Sequence, residues 1–175
     1  MFVHNFLFNV NNANGITQYT KRRKIMQLTQ KECSLLKDLK DQETLCIEKY
    51  TKASQAAVDG QLKGLFNNLA STEQQHLDTL TKIESGTVPP VPSGGEKPMP
   101  TFTSVYSVSE TPDKKNDCYL CSDLLTAEKH ASSLYDTCIF EFKDDNTRNV
   151  LNHIQKEEQE HGKMIYNYMS ANSMY

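Results

Sequence analysis

Two short stretches of this chain, Glu73-Gln-Gln-His76 and Glu158-Gln-Glu-His161, carry the same Glu-x-x-His pattern, and each follows another glutamate, Glu43 or Glu128, by thirty residues. The two halves superimpose with a constant offset of 85, under which Tyr50 maps to Tyr135, Asp59 to Asp144, Gln74 to Gln159 and His76 to His161. Such self-similarity is the signature of an internal repeat. It restricts the chain to folds that tolerate a duplicated unit and bring its two copies face to face.

The unit is helical. Leu36, Leu39, Cys46, Tyr50, Ala53 and Ala57 recur three and four residues apart, and so do Leu62, Leu65, Phe66, Leu69, Leu80 and Ile83. Thr29 followed by Glu32 is a capping-box start with Leu28 placed to staple it, and Gly86 stops the second helix. A third helix is expected from about Lys115 to Phe142, with Cys121, Leu124, Leu125, Tyr135, Cys138 and Phe142 inward. Asp144, Asp145 and Asn146 form a turn and cap before a fourth, which runs to about Ser170 on Val150, Leu151, Ile154, Ile165 and Tyr168.

Between the halves, residues 86–112 hold all six prolines, so no helix is expected there. Short turns make each half an antiparallel hairpin. The joining segment can reach roughly 90 Å extended, against about 40 Å for one of these helices, enough to cross the full length of a bundle and leave helices two and three parallel. The reading is an all-α, ferritin-like four-helix bundle, with hairpins at 28–85 and 115–170, a Pro-rich crossover at 86–114, and residues 28–175 forming one domain. Residues 1–27, Asn-rich and ending near Lys21-Arg22-Arg23-Lys24, are expected to be a disordered tail rather than a signal peptide, because the charge follows the apolar stretch. Met26 is a second candidate start beside Met1.

Charge interrupts the inward stripes at matching depth. The seams 36, 39, 43, 46, 50, 53 and 66, 69, 73, 76, 80, 83 contain Glu43, Glu73 and His76; the seams 121, 125, 128, 132, 135, 138 and 151, 154, 158, 161, 165, 168 contain Glu128, Glu158 and His161. Residues three apart share a helix face, so each Glu-x-x-His directs a carboxylate and an imidazole to one point. One Glu from each of two helices and one Glu-x-x-His from each of the other two is the ligand inventory of dinuclear carboxylate bundles. Four carboxylates in a poorly solvated core repel one another, and two divalent cations neutralise them. Iron is placed ahead of manganese, although these oxygen and nitrogen donors suit both. Tyr50 and Tyr135, two turns beyond the ligand glutamates, are candidates for supporting the site from behind its ligands.

The remaining chemistry-bearing residues have plainer readings. Glu48, Glu84, Glu157 and Glu160 are expected on solvated faces, with Glu157 also placed to serve a metal entry path. His130 and His153 lie off the seams. Cys118-x-x-Cys121 reads as a helix start, with a thiol pair as the alternative. Five cysteines, an odd number, do not make a disulfide framework. A net charge of −3 disfavours nucleic acid, and no apolar run approaches the ~20 residues of a membrane span.

The stretches DLLTAEKHASSLYDTCIFEF (123–142) and NVLNHIQKEEQEHGKMIYNYM (149–169) resemble the spore coat protein F (Coat F domain) family of endospore-forming bacteria, which is similar to the ferritin-like superfamily. LLKDLKDQETLCIEKY (35–50) and STEQQHLDTL (71–80) fit the broader rubrerythrin-type pattern. The resemblance implies a ferritin-like fold, the ligands Glu43, Glu73, His76, Glu128, Glu158 and His161, and a place in the mother-cell cytoplasm or the spore coat. The complete ligand set points to oxidase- or peroxidase/catalase-type chemistry on O2 or peroxide. The rubredoxin-like pair of CxxC motifs is absent from the sequence. The partners expected are O2 or peroxide, other coat proteins and a second copy in a homodimer, with no nucleic acid and no membrane. The alternative is a structural coat protein whose metal site only stabilises it, cross-linked through Tyr166, Tyr168, Tyr175 and the cysteines. Metal storage, a third reading, needs a cage-forming oligomer.

Overall fold

A computed structural model of the protein describes residues 27–92 and 98–175. The expected tail lies outside the described residues up to position 26. Four helices follow in order among the described residues: α1 (Gln30–Ala56), α2 (Gly60–Glu84), α3 (Pro112–Glu141) and α4 (Asp145–Ala171).

The sequence sets their ends. Thr29 accepts from the Glu32 backbone N–H at 3.2 Å while Glu32 accepts from the Thr29 N–H at 2.7 Å, a closed capping box. Gly86 takes φ 83° just past α2, a left-handed conformation suited to glycine. Asp144 caps α4 by accepting from the Thr147 N–H at 2.8 Å. The third helix starts at Pro112, three residues earlier than periodicity places it. Thr111 accepts from the Lys114 N–H at 3.1 Å, and Pro112 occupies a first-turn position where a missing N–H costs nothing. The last proline therefore opens a helix instead of belonging to the crossover.

Direction follows from the cross-links. Lys40 pairs with Glu84 at 2.6 Å, so α1 and α2 are antiparallel. Lys31 near the start of α1 meets Glu141 at the end of α3, and Lys49 further along α1 meets Asp123 near the start of α3. His76 and Glu157, and likewise Glu73 and His161, join α2 to α4 in the same antiparallel sense. Helices α2 and α3 are thus parallel, and the crossover runs the length of the bundle. Its described parts, up to residue 92 and from residue 98, lie along the groove between α2 and α4, pinned where Gln61 accepts from the Thr103 N–H at 3.0 Å and Asn172 accepts from the Val105 N–H at 2.9 Å.

The apolar core comes in two blocks. One contains Leu36, Leu80, Ile83, Phe142 and Leu151; the other contains Phe66, Leu69, Leu124, Ile165 and Met169. Burying such side chains stabilises the bundle by ~1.5–3 kcal/mol each before chain entropy is counted. The α3 seam departs from the expected one: Leu124 and Ala131 are buried, whereas Leu125 and Ser132 are half-buried. No described helix is long and apolar enough to cross a membrane.

Candidate metal centre

Between the two apolar blocks lies a polar layer. Glu43 from α1, Glu73 and His76 from α2, Glu128 from α3, and Glu158 and His161 from α4 are each at most 3% exposed. All six sequence-derived candidates therefore meet in the core.

Their ligand atoms form two groups, Glu43–Glu73–His76–Glu158 and Glu73–Glu128–Glu158–His161, each with its atoms within 4.8 Å of one another. Glu73 and Glu158 belong to both. Each Glu-x-x-His thus supplies a carboxylate common to both positions and an imidazole to one, while Glu43 and Glu128 serve one position apiece.

Both imidazoles turn Nδ1 inward. His76 Nδ1 lies 2.9 Å from Glu73 Oε2 and 2.9 Å from Glu158 Oε1. His161 Nδ1 lies 2.9 Å from Glu73 Oε1. The rings stack across the centre with centroids 5.7 Å apart and planes 17° from parallel.

Tyr50 and Tyr135 close the layer from opposite sides. Tyr50 of α1 donates its hydroxyl to Glu128 of α3, and Tyr135 of α3 donates to Glu43 of α1. The exchange of helices between the two bonds is the two-fold relation that the 85-residue offset implies. Both tyrosines are fully buried. Burial, then the neighbouring carboxylates, pushes their hydroxyls well above the ordinary phenol value, so they hold their protons and remain donors.

The electrostatics of the layer is frustrated without a cation. Burial, and next the charges of Glu158 and Glu73, raises Glu43 well above the usual carboxylate range; the same causes raise Glu128. Burial also acts on Glu73, but the two imidazoles beside it overcome that and hold it at about 2. His76 loses hydration, yet carboxylate partners, Glu157 first, hold it well above the usual imidazole value. Oε2 of Glu43, of Glu128 and of Glu158 is buried without a hydrogen bond, while Glu158 Oε1 faces His76 Nδ1. Orphaned carboxylate oxygens are costly. These donors fit two divalent ions: Glu43, His76 and the two common carboxylates would hold one, and Glu128, His161 and the same two carboxylates the other. Metals bound there supply Lewis acidity and a one-electron redox couple.

Several surrounding residues differ from expectation. Glu157 is not on a solvated face; its side chain is 14% exposed and its Oε2 lies 3.0 Å from His76 Nε2. A carboxylate behind a ligand imidazole fixes the ring and its tautomer. His153 is half-buried, with Nε2 3.5 Å from the same oxygen. Asp117 is a fully buried acid that sequence reading missed. It accepts from the Val58 and Asp59 N–H groups at 2.8 and 3.0 Å and from the Tyr106 hydroxyl at 2.7 Å, tying the α1–α2 turn and the crossover to α3. Its place four residues before Cys121 on the same seam was the available signal. Cys118 and Cys121 are both free thiols.

The comparisons bear on fold and family. Residues 116–175 match the family model of the Coat F domain. The match spans α3 and α4, the hairpin that holds Glu128, Glu158 and His161. A solved bacterioferritin-related protein from Bacteroides fragilis, described as a dodecameric thioferritin of the bacterial domain, aligns at 18% identity with a TM-score of 0.59. The alignment covers 80% of this chain and 84% of that one. The fold is a ferritin-like four-helix bundle. No curated protein matches the sequence.

Proposed function

We propose that this protein is a ferritin-like, spore-coat-associated protein that binds two divalent metal ions, iron ahead of manganese, and uses them for oxidase- or peroxidase/catalase-type chemistry on O2 or peroxide. The observation that carries the reading is the pair of four-residue ligand groups sharing Glu73 and Glu158 in a layer buried between two apolar blocks. Coat association rests on the Coat F match. In this reading Glu73 and Glu158 would serve both ions, Glu43 and His76 would complete one position and Glu128 and His161 the other, and the two tyrosines orient Glu128 and Glu43. The surrounding apolar side chains limit the site to small substrates. Purified protein loaded with Fe(II) or Mn(II) is expected to consume peroxide or O2, and Glu73→Ala/Glu158→Ala is expected to abolish that activity; a loaded wild type that consumes neither contradicts the reading.

A structural role is the second reading, favoured by the same Coat F match. There the ions stiffen the bundle, other coat proteins and a second copy of the chain are the partners, and Glu73→Ala/Glu158→Ala spores retain the protein in their coat. Storage in a shell, as the dodecamer of the Bacteroides protein suggests, would appear as a large assembly in size-exclusion chromatography.

A further inference from the structure

The 85-residue offset relates the surroundings of the two metal positions as well as their ligands, and there the relation breaks. The groove between α2 and α4 contains two recesses. One, about 440 Å³, lies over His161 between Leu65, Leu69 and Met164 and is roofed by Pro98, Pro100 and Phe102. The other, about 300 Å³, lies over His76 beside Val150 and Ile154 under the prolines at 89, 90 and 92. Leu65 maps to Val150, Leu69 to Ile154 and His76 to His161, so the recesses are copies of one feature.

Position 157 does not follow the copy. On the His76 side it is Glu157, whose carboxylate meets His76 Nε2 at 3.0 Å with His153 Nε2 3.5 Å behind it. Its counterpart on the His161 side is Thr72, whose hydroxyl is turned along its own helix to the Asn68 carbonyl at 3.3 Å. The counterpart of His153 is Asn68. One ligand imidazole is therefore backed by a carboxylate and an imidazole, while the equivalent positions behind the other hold a hydroxyl and an amide.

We infer that the two metal positions are unequal, and that Glu157 sets the difference: the Glu43/His76 position binds first and tightly, and the Glu128/His161 position fills last and empties first. This rests on the proposed dinuclear site. A carboxylate accepting from the outer ring nitrogen keeps the lone pair of Nδ1 directed at the metal and strengthens it as a donor. Removing such a partner costs about 10–100-fold in metal affinity. Glu157 is a positioning residue, acting through His76.

The test is a titration of the metal-free full-length chain with Mn(II), following free ion by electron paramagnetic resonance. Two ions are expected per chain, in steps separated about 10–100-fold. Glu43→Gln should remove the tight step and Glu128→Gln the weak one. Glu157→Gln should bring the steps together by weakening the first, and Thr72→Glu, which supplies the missing carboxylate, should do so by strengthening the second. Two ions taken up with equal affinity, or steps unmoved in both Glu157→Gln and Thr72→Glu, overturn the inference while leaving a dinuclear site in place. No uptake of Mn(II) overturns it together with the proposed function.

Discussion

The two hairpins hold the same three candidate ligands, two glutamates and a histidine, at the same spacing, yet their environments have diverged. The second, α3–α4, matches the Coat F domain model along nearly its whole length. The outer carboxylate behind the opposite imidazole is present only on α4, as Glu157, and Thr72 stands at the equivalent place on α2. Asp117, a buried acid at the start of α3, ties down the α1–α2 turn; the residue 85 positions before it is Glu32, which caps α1 and also accepts from the Lys143 N–H at the α3–α4 turn at 3.0 Å. A duplicated bundle can thus keep its inner frame symmetric while the side chains around it drift. The geometry of the frame demands matched glutamates and histidines; the second rank of residues has no such constraint.

The largest effect expected separates shared from unshared ligands. Glu73→Ala/Glu158→Ala removes both shared carboxylates from each position and should leave no bound metal, whereas Glu43→Ala or Glu128→Ala should leave one ion; elemental analysis distinguishes these. Equal loss in all three variants would mean that the hairpins do not each own a position.

The metal-free protein should be sensitive to pH. Glu43, Glu128 and His76 all titrate in the folded state well above their ordinary values. Raised groups contribute stability that is present below their unfolded values and lost as pH rises through the folded ones. Thermal melting of chelator-treated protein should therefore fall as pH rises above the ordinary carboxylate and imidazole values, and added Mn(II) should restore more stability at the higher pH, because binding takes over the charge that protons held. Glu73 has the opposite sign: its contribution is present above the usual carboxylate range and lost only as pH falls towards about 2.

Asp117→Ala removes the acceptor from two backbone N–H groups and a tyrosine hydroxyl and should cost about 1–3 kcal/mol in denaturant unfolding. Tyr50→Phe and Tyr135→Phe should each cost about 1–2 kcal/mol and, if the frame is symmetric, by matching amounts. At the low end, Lys37→Ala should leave the denaturant midpoint unmoved, since its Asp41 pair is exposed on both sides.

The sequence made the inner frame readable because period and repeat act together. All six inward-pointing candidates sit on seams with three- and four-residue steps, and the long proline-rich segment implies parallel α2 and α3. Capping at Thr29 and Asp144 is a local matter, settled within four residues. What periodicity did not disclose depends on which helix flank meets which. Glu157 sits one residue before a seam position, on the flank that faces α2, and becomes half-buried only because α2 brings His76 against it. The α3 seam leans to Leu124 and Ala131 rather than Leu125 and Ser132 for the same reason: the packing partner selects between neighbouring positions that a single helix leaves equivalent. The early start of α3 was legible in principle, since Thr111-Pro112 is a cap followed by a first-turn proline, but prolines clustered nearby drew the boundary too late.

The central claim is that four helices deliver two ligand groups sharing two carboxylates. Anomalous X-ray scattering from crystals grown with Mn(II) tests it most directly. The account predicts two peaks in the core, one among Glu43, His76, Glu73 and Glu158, the other among Glu128, His161 and the same two carboxylates. Crystals with an empty core, or with manganese only on the surface, would contradict it.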